Sequence, residues 1–255
     1  MIKINVSNND EYAIKSTMTS TVRINKISQN YDDDNDLISP IKCSKLLWTS
    51  YVFIALFLVS FSQNSFLLYK FYLNKKLRSS YHVLIISLIG FNFIGSILIY
   101  PVVIISCFKC KWVFQEWGCN LTSLIVLFIA SLSIYIMTLI SLERFLAVKY
   151  SLKRFSIPTS KIKLMIFVSS LLSMFWSVLP MFGFSHYRLE PTLISCSVDW
   201  TDKSLKSTVY IVNLFLFVYF MPLMIIFGTN FNTILIVSYL LFINYVIGLL
   251  LIENV

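Results

Sequence analysis

The chain has 255 residues, of which 57% are hydrophobic and only 13% charged, with a mean hydropathy of +0.77. Soluble domains average about 45–50% apolar and 25% charged, so a soluble enzyme is excluded. The formal net charge of +9 would suggest a nucleic-acid partner in a soluble protein, but here the placement of the charge reads as membrane topology, and no nucleic acid is expected.

Residues 1–45 mix Asn, Ser, Asp and Lys, carry the acidic run Asp32, Asp33, Asp34 and Asp36, and hold no apolar stretch long enough for a signal peptide. They read as a disordered extracellular tail. Asn5-Val6-Ser7 is a glycosylation sequon within it. Asn120-Leu121-Thr122 has the same form but lies at the start of a span, where the glycosylation machinery has poor access.

Beyond the tail, acids and bases divide the chain into five charge-free stretches: Leu46–Tyr69, Ser79–Phe108, Trp117–Leu142, Leu164–Tyr187 and Ser207–Ile252. A helix needs about 20 residues to cross about 30 Å of hydrocarbon, so each is long enough to span. The expected fold is all-α, a polytopic bundle of transmembrane helices over residues 46–232. Basic residues gather in Lys70–Arg78 and Arg144–Lys163, which places these loops in the cytoplasm and the N-terminus outside. The fifth stretch is long enough for one extended helix or for two spans joined at the turn-prone Gly228-Thr229-Asn230-Phe231-Asn232. Residues 233–255 are therefore an atypical apolar segment with two readings, one of them a sixth span.

All five cysteines, Cys43, Cys107, Cys110, Cys119 and Cys196, fall outside or at the outer edge on this topology, where disulfides form. The best-placed pair is Cys119, at the outer start of the third span, with Cys196, in the outer segment after the fourth. Closing that loop would constrain the unfolded chain by about 4–5 kcal/mol in the entropic account. Cys107-x-x-Cys110 has the spacing of a redox or metal pair but no further ligands beside it. His82 and His186 sit at span ends, where interfacial anchoring is expected, and no metal site is read.

Polar residues within spans usually face the bundle interior, because lipid offers them no partner. Asn64 and Asn92 fall mid-span, and either hydrogen-bond between helices or share a polar core. The third span runs about 37 Å from Cys119 to Arg144, so Glu143 and Arg144 reach the cytoplasmic mouth. Arg144 there either snorkels and complements the helix dipole or serves a switch.

Taken together, the residues from Tyr51 to Phe231 resemble the rhodopsin-like G-protein-coupled receptors. Asn64 is similar to the first-helix asparagine of that family, and Leu88–Asn92 to the second-helix Leu-x-x-x-Asp with Asn in place of Asp. Trp112 resembles the first outer-loop tryptophan, and Cys119 with Cys196 the family disulfide. Glu143-Arg144-Phe145 resembles the Glu/Asp-Arg-Tyr motif, Trp176 the fourth-helix tryptophan and Pro222 the fifth-helix proline. The stretch from Pro180 to Tyr187, followed by Glu190 and Ser195–Trp200, narrows the resemblance to opsins, as does Gly118-Cys119-Asn120-Leu121.

The resemblance implies the first five helices of a seven-helix receptor, a retinal chromophore under the second outer loop, and a heterotrimeric G protein at the Glu143–Phe145 end. It also implies a plasma-membrane location. Glu190 matches a loop acid that acts as counterion to a protonated Schiff base, while Thr122 fills the other counterion position and carries no charge. The bland reading of Glu190 is an exposed loop carboxylate. No lysine lies inside a charge-free span, and Leu240–Val255 does not resemble a receptor's basic third cytoplasmic loop. The expectation is thus an incomplete or non-signalling form, able to pair with a complete receptor. Competing readings are a rhodopsin-like receptor for another small ligand, a transporter or channel subunit with Asn64, Asn92 and Asn213 along a path, and an interaction-only membrane protein.

Overall fold

The computed structural model describes residues 39–74, 79–150 and 157–252, without the side chains of 244 and 246–252. Asn5 and tail residues 1–38 lie outside the described residues. The helices are α1 (Cys43–Leu73), α2 (Ser80–Lys109), α3 (Gln115–Lys149) and α4 (Thr159–Val178), the last continued by a 3-10 turn (Leu179–Phe182). A two-stranded antiparallel hairpin follows, β1 (Tyr187–Leu189) and β2 (Cys196–Val198), with Tyr187 opposite Val198 and Leu189 opposite Cys196. After it α5 (Leu205–Leu214) runs through a π-helical stretch (Phe215–Phe220) into α6 (Met221–Ile252).

Five helices are long and apolar enough to cross a membrane, counting the rod from Leu205 to Ile243 as one. The chain is a multi-pass membrane protein. Its helices outrun the charge-free stretches because a basic residue is compatible with a last turn: Lys70, Lys109 and Lys149 each sit there, where a cation meets the unsatisfied carbonyls. Residues 39–45, expected within a disordered tail, are ordered. Cys43 opens α1, and the Ser39 N–H donates to the Cys110 carbonyl at 3.0 Å.

Local chemistry fixes several element ends. Ser204 caps α5, its Oγ accepting from the Ser207 N–H at 3.3 Å. Cys110 closes α2 in the left-handed conformation at φ 55°, and a disulfide to Cys43 holds it there. The π-helical stretch ends just before Pro222, which has no N–H to return to the preceding turn, so the ladder is remade by a wider one. The helix then passes Gly228–Asn232 without a turn.

Packing centres on α3, which touches α2, α4, both strands, the π-helical stretch and α6, while α1 leans on α2. The half of the core beside the hairpin joins Leu127, Trp176, Val198, Tyr210, Leu214 and Val218; the other half joins Leu84, Leu132, Ile136 and Ile162. Small residues let helices approach: a Cβ at Gly95 of α2 would stand 2.7 Å from Ile129 Cδ1 of α3. Leu132 is fully buried. Leu132→Ala should therefore cost about 2–3 kcal/mol through the void it leaves, lowering the melting temperature in detergent, whereas Leu171→Ala on the exposed face of α4 should leave it within a degree or two.

Candidate functional site

Two sites take shape at opposite ends of α3. At the N-terminal end, Cys119 is bonded to Cys196 with a Cα–Cα distance of 5.4 Å, so β2 is fastened to α3. Tyr187 on the paired strand sends its hydroxyl to the Ser177 carbonyl at 2.6 Å, and burial raises its phenol above the ordinary range. Tyr210 reaches the Trp176 carbonyl at 2.9 Å. Trp176 in turn lies stacked with Phe217, ring centroids 6.2 Å apart. The hairpin is thus a lid held by one covalent bond and a layer of aromatic rings.

The far end of the lid has a separate anchor. Ser39 Oγ donates to the Thr192 carbonyl at 2.6 Å, and Ile194 packs with Leu46, Cys107 and Cys110. The Cys43–Cys110 disulfide ties that anchor to α1 and α2. Cys107, one of the two cysteines in the candidate redox pair, is free and buried, and Cys110 is bonded to Cys43 instead. No cluster of metal-ligating side chains occurs among the described residues.

Glu190 is half-buried in the lid turn rather than fully exposed. Ser195 Oγ donates to its Oε2 at 2.6 Å, and its backbone N–H reaches the Ser195 carbonyl at 2.9 Å. Thr122 is half-buried on α3, and no hydrogen bond joins it to Glu190 among the described residues. Beside the lid, Asp199 accepts from the Thr201 N–H and hydroxyl at 2.9 and 2.6 Å and pairs with Arg188 at 3.6 Å. Partial burial works to raise the Asp199 pKa, but the Thr201 hydrogen bonds and the Arg188 charge outweigh it and hold the carboxyl below its usual range.

In the middle of the bundle Asn92 accepts from Ser133 Oγ of α3 at 2.9 Å, an interhelical bond. Asn64 instead donates to Ser60 of its own helix, to the carbonyl at 2.8 Å and to Oγ at 3.2 Å. Both asparagines line one open cavity of about 450 Å³ with Ser60, Ser96 and Tyr100. The two sequence readings therefore both have a counterpart, one bond between helices and one shared polar space.

At the C-terminal end of α3 Glu143 is buried and Arg144 exposed. No close ion pair joins the two side chains among the described residues, and Arg144 meets a ring instead. The Arg144 guanidinium lies 3.2 Å from the centre of the Tyr81 ring, a cation–π stack onto the start of α2, while Glu143 Oε2 has no hydrogen-bond partner. The physical reason is spacing: adjacent residues on a helix point roughly 100° apart and do not face each other. Phe145 is half-buried, with Lys149 Nζ 5.4 Å from its ring. His82 bonds Ser79 through Nδ1 at 2.6 Å, at the head of α2. Trp112 Nε1 donates to the Gln115 carbonyl at 2.8 Å, bracing the turn into α3, and Pro222 is buried in α6.

A family model described as 7 transmembrane receptor (rhodopsin family) matches residues 63–239. The chain belongs to this rhodopsin family. It is 30% identical over 190 residues to a rhodopsin of Alloteuthis subulata, covering 73% of this chain and 43% of that protein. It is 28% identical over 168 residues to Opsin-1 of Manduca sexta, covering 66% and 45%, and 33% identical over 172 residues to a melanopsin of Podarcis siculus, covering 66% and 36%. The chain thus spans less than half the length of these relatives. The crystal structure of squid rhodopsin superimposes with a TM-score of 0.73 at 27% identity, over 78% of this chain and 57% of that one.

Sequence reasoning missed Tyr81, Tyr187, Tyr210 and Ser133, since no local pattern names a partner from another helix. Asp199 gives the lid a defined acid sensitivity. A carboxyl held below its unfolded pKa of about 3.9 adds stability that is fully present above that value and lost as pH falls through the lower folded value. Hydrogen exchange of the hairpin amides should be unchanged from pH 7 to about 5 after correction for intrinsic rates, then accelerate below about 4. In Asp199→Asn that acid step should be absent.

Proposed function

We propose that the chain forms the first five helices of an opsin-like receptor in signal transduction, set in the plasma membrane with its N-terminus outside. The supporting observation is a lid covalently fastened to the outer end of the same helix that carries Arg144 at its inner end. A ligand beneath the lid shifts the balance between two arrangements of the helices. The inner end of α3 is the face toward a heterotrimeric G protein, with the Arg144–Tyr81 stack holding α3 to α2 in the resting arrangement.

Retinal is the ligand that the resemblance implies. The residues fit its surroundings and not its attachment. Glu190 offers a carboxylate steadied by Ser195 in the lid, whereas the lysines of the described helices, such as Lys45, Lys70, Lys109, Lys149 and Lys161, stand near helix ends. A Schiff base needs an amine at the chromophore, so these 255 residues supply no covalent linkage of their own, and no step is derived through one. Signalling by these residues alone is accordingly not expected; pairing with a complete receptor or with an amine-bearing helix is.

The test is coexpression with a fragment carrying the sixth and seventh helices of squid rhodopsin, in cells supplied with 11-cis-retinal. The expected outcome is a visible-absorbing pigment from the two fragments together, shifted toward the ultraviolet at neutral pH in Glu190→Gln, and no light-dependent second messenger from the 255 residues alone. Failure of the pair to form a pigment, or a light response from the chain by itself, contradicts the proposal.

A further inference from the structure

The rod from Leu205 to Ile252 is too long for the membrane that the rest of the bundle occupies. Tyr135 Oη of α3 donates to the Phe217 carbonyl at 3.4 Å, which sets the register of two helices that both start at the lid. Lys149, the last residue of α3, stands fourteen residues beyond Tyr135, and the residue at the same distance past Phe217 is Phe231. The remainder of α6 therefore extends about 30 Å past the cytoplasmic end of α3. It carries no charge as far as Ile252.

Past Thr233, that projecting segment has no charged residue, and its Ser238 and Asn244 stand six positions, roughly 120° around the helix, apart, so no continuous polar side forms. Tyr239, Leu240, Leu241 and Phe242 are four consecutive exposed residues, and at 3.6 residues per turn four consecutive positions ring the whole helix. Phe231, Ile234, Leu235 and Val237 are exposed as well. A helix that is apolar all round is a core helix or a membrane span, whereas one lying on a membrane surface or in a protein groove is two-faced. Residues 234–252 number nineteen, close to the roughly 20 that cross the hydrocarbon.

Between the two apolar lengths lies a short polar joint. Thr229, Asn230, Asn232 and Thr233 follow Gly228, at the level where α3 ends. Their side chains turn back on the helix: Thr229 Oγ1 to the Ile225 carbonyl at 2.7 Å, Asn232 Nδ2 to the Gly228 carbonyl at 2.7 Å, and Thr233 Oγ1 to the Thr229 carbonyl at 2.8 Å. Such back-bonds compete with the backbone ladder and favour bending. A Cβ at Gly228 would meet nothing within 4 Å, so the helix has an open side at the joint.

We propose that the lipid bilayer takes up residues 234–252 as a sixth crossing, with the rod folding at 228–233 from the straight form seen in the structure. This goes beyond the receptor reading and stands without it, because it rests on length, charge and the joint alone. The test is the parity of the two termini. The full chain, tagged at both ends, is made in microsomes and treated with protease. The expected result is both tags on the same side of the membrane; tags on opposite sides overturn the proposal. Leu240→Arg with Leu241→Arg places two charges in the middle of the segment, and it should move the C-terminal tag to the side opposite the N-terminal one. A double variant whose tags stay on one side overturns the assignment of the crossing to this segment. Topology is read here without any requirement that the variant fold.

Discussion

The structure depends on one constraint: α3 has to cross the bilayer with its N-terminal end bonded to the lid. The Cys119–Cys196 bond closes a sequence separation of 77 residues and fastens β2 to α3. Because α3 also touches α2, α4, the π-helical stretch and α6, fixing its N-terminal end positions the lid and the Arg144 site together. The aromatic layer of Trp176, Tyr187, Tyr210 and Phe217 then fills the space that the bond defines. Without that bond, the hairpin would rest on the Tyr187 hydroxyl bond to Ser177 and the anchor at Ser39.

A second theme is how polar groups are housed in an apolar interior. Many serine and threonine hydroxyls bond the carbonyl one turn back in their own helix, as Ser106, Ser131, Thr138, Ser170 and Ser177 do, which satisfies the hydroxyl without a neighbour. Asn92 is different, since its acceptor is used by Ser133 across the α2–α3 interface. That bond fixes the relative height of two helices, something an apolar contact does loosely. The cavity beside it keeps Asn64 and Asn92 in one polar space.

Much of this was legible in the sequence, for reasons that differ by feature. Spans were legible because lipid excludes charge, so five uncharged stretches map onto the five long apolar helices, although their ends ran on wherever a lysine complements a helix C-terminus. The Cys119–Cys196 bond was legible because topology put all five thiols on one side, the pair stood at the start of the third span and after the fourth, and the family resemblance named the same two. Cys43–Cys110 was not, since Cys43 lay in what reads as a tail and Cys110 sits beside a closer partner in sequence, Cys107; only the left-handed end of α2 and the Ser39 contact bring it to Cys43. The Arg144–Tyr81 stack was illegible for a similar reason. The motif names the acid next door, while helix geometry turns the two side chains apart and offers the guanidinium a ring on α2.

The most direct measurement is disulfide mapping of the unreduced full chain by mass spectrometry, with free thiols blocked before digestion. The account predicts two linked peptides, Cys119 with Cys196 and Cys43 with Cys110, and blocking agent on Cys107 once the chain is denatured. Cys119 joined to any other thiol, or Cys196 recovered unpaired, would contradict the claim that α3 carries the lid.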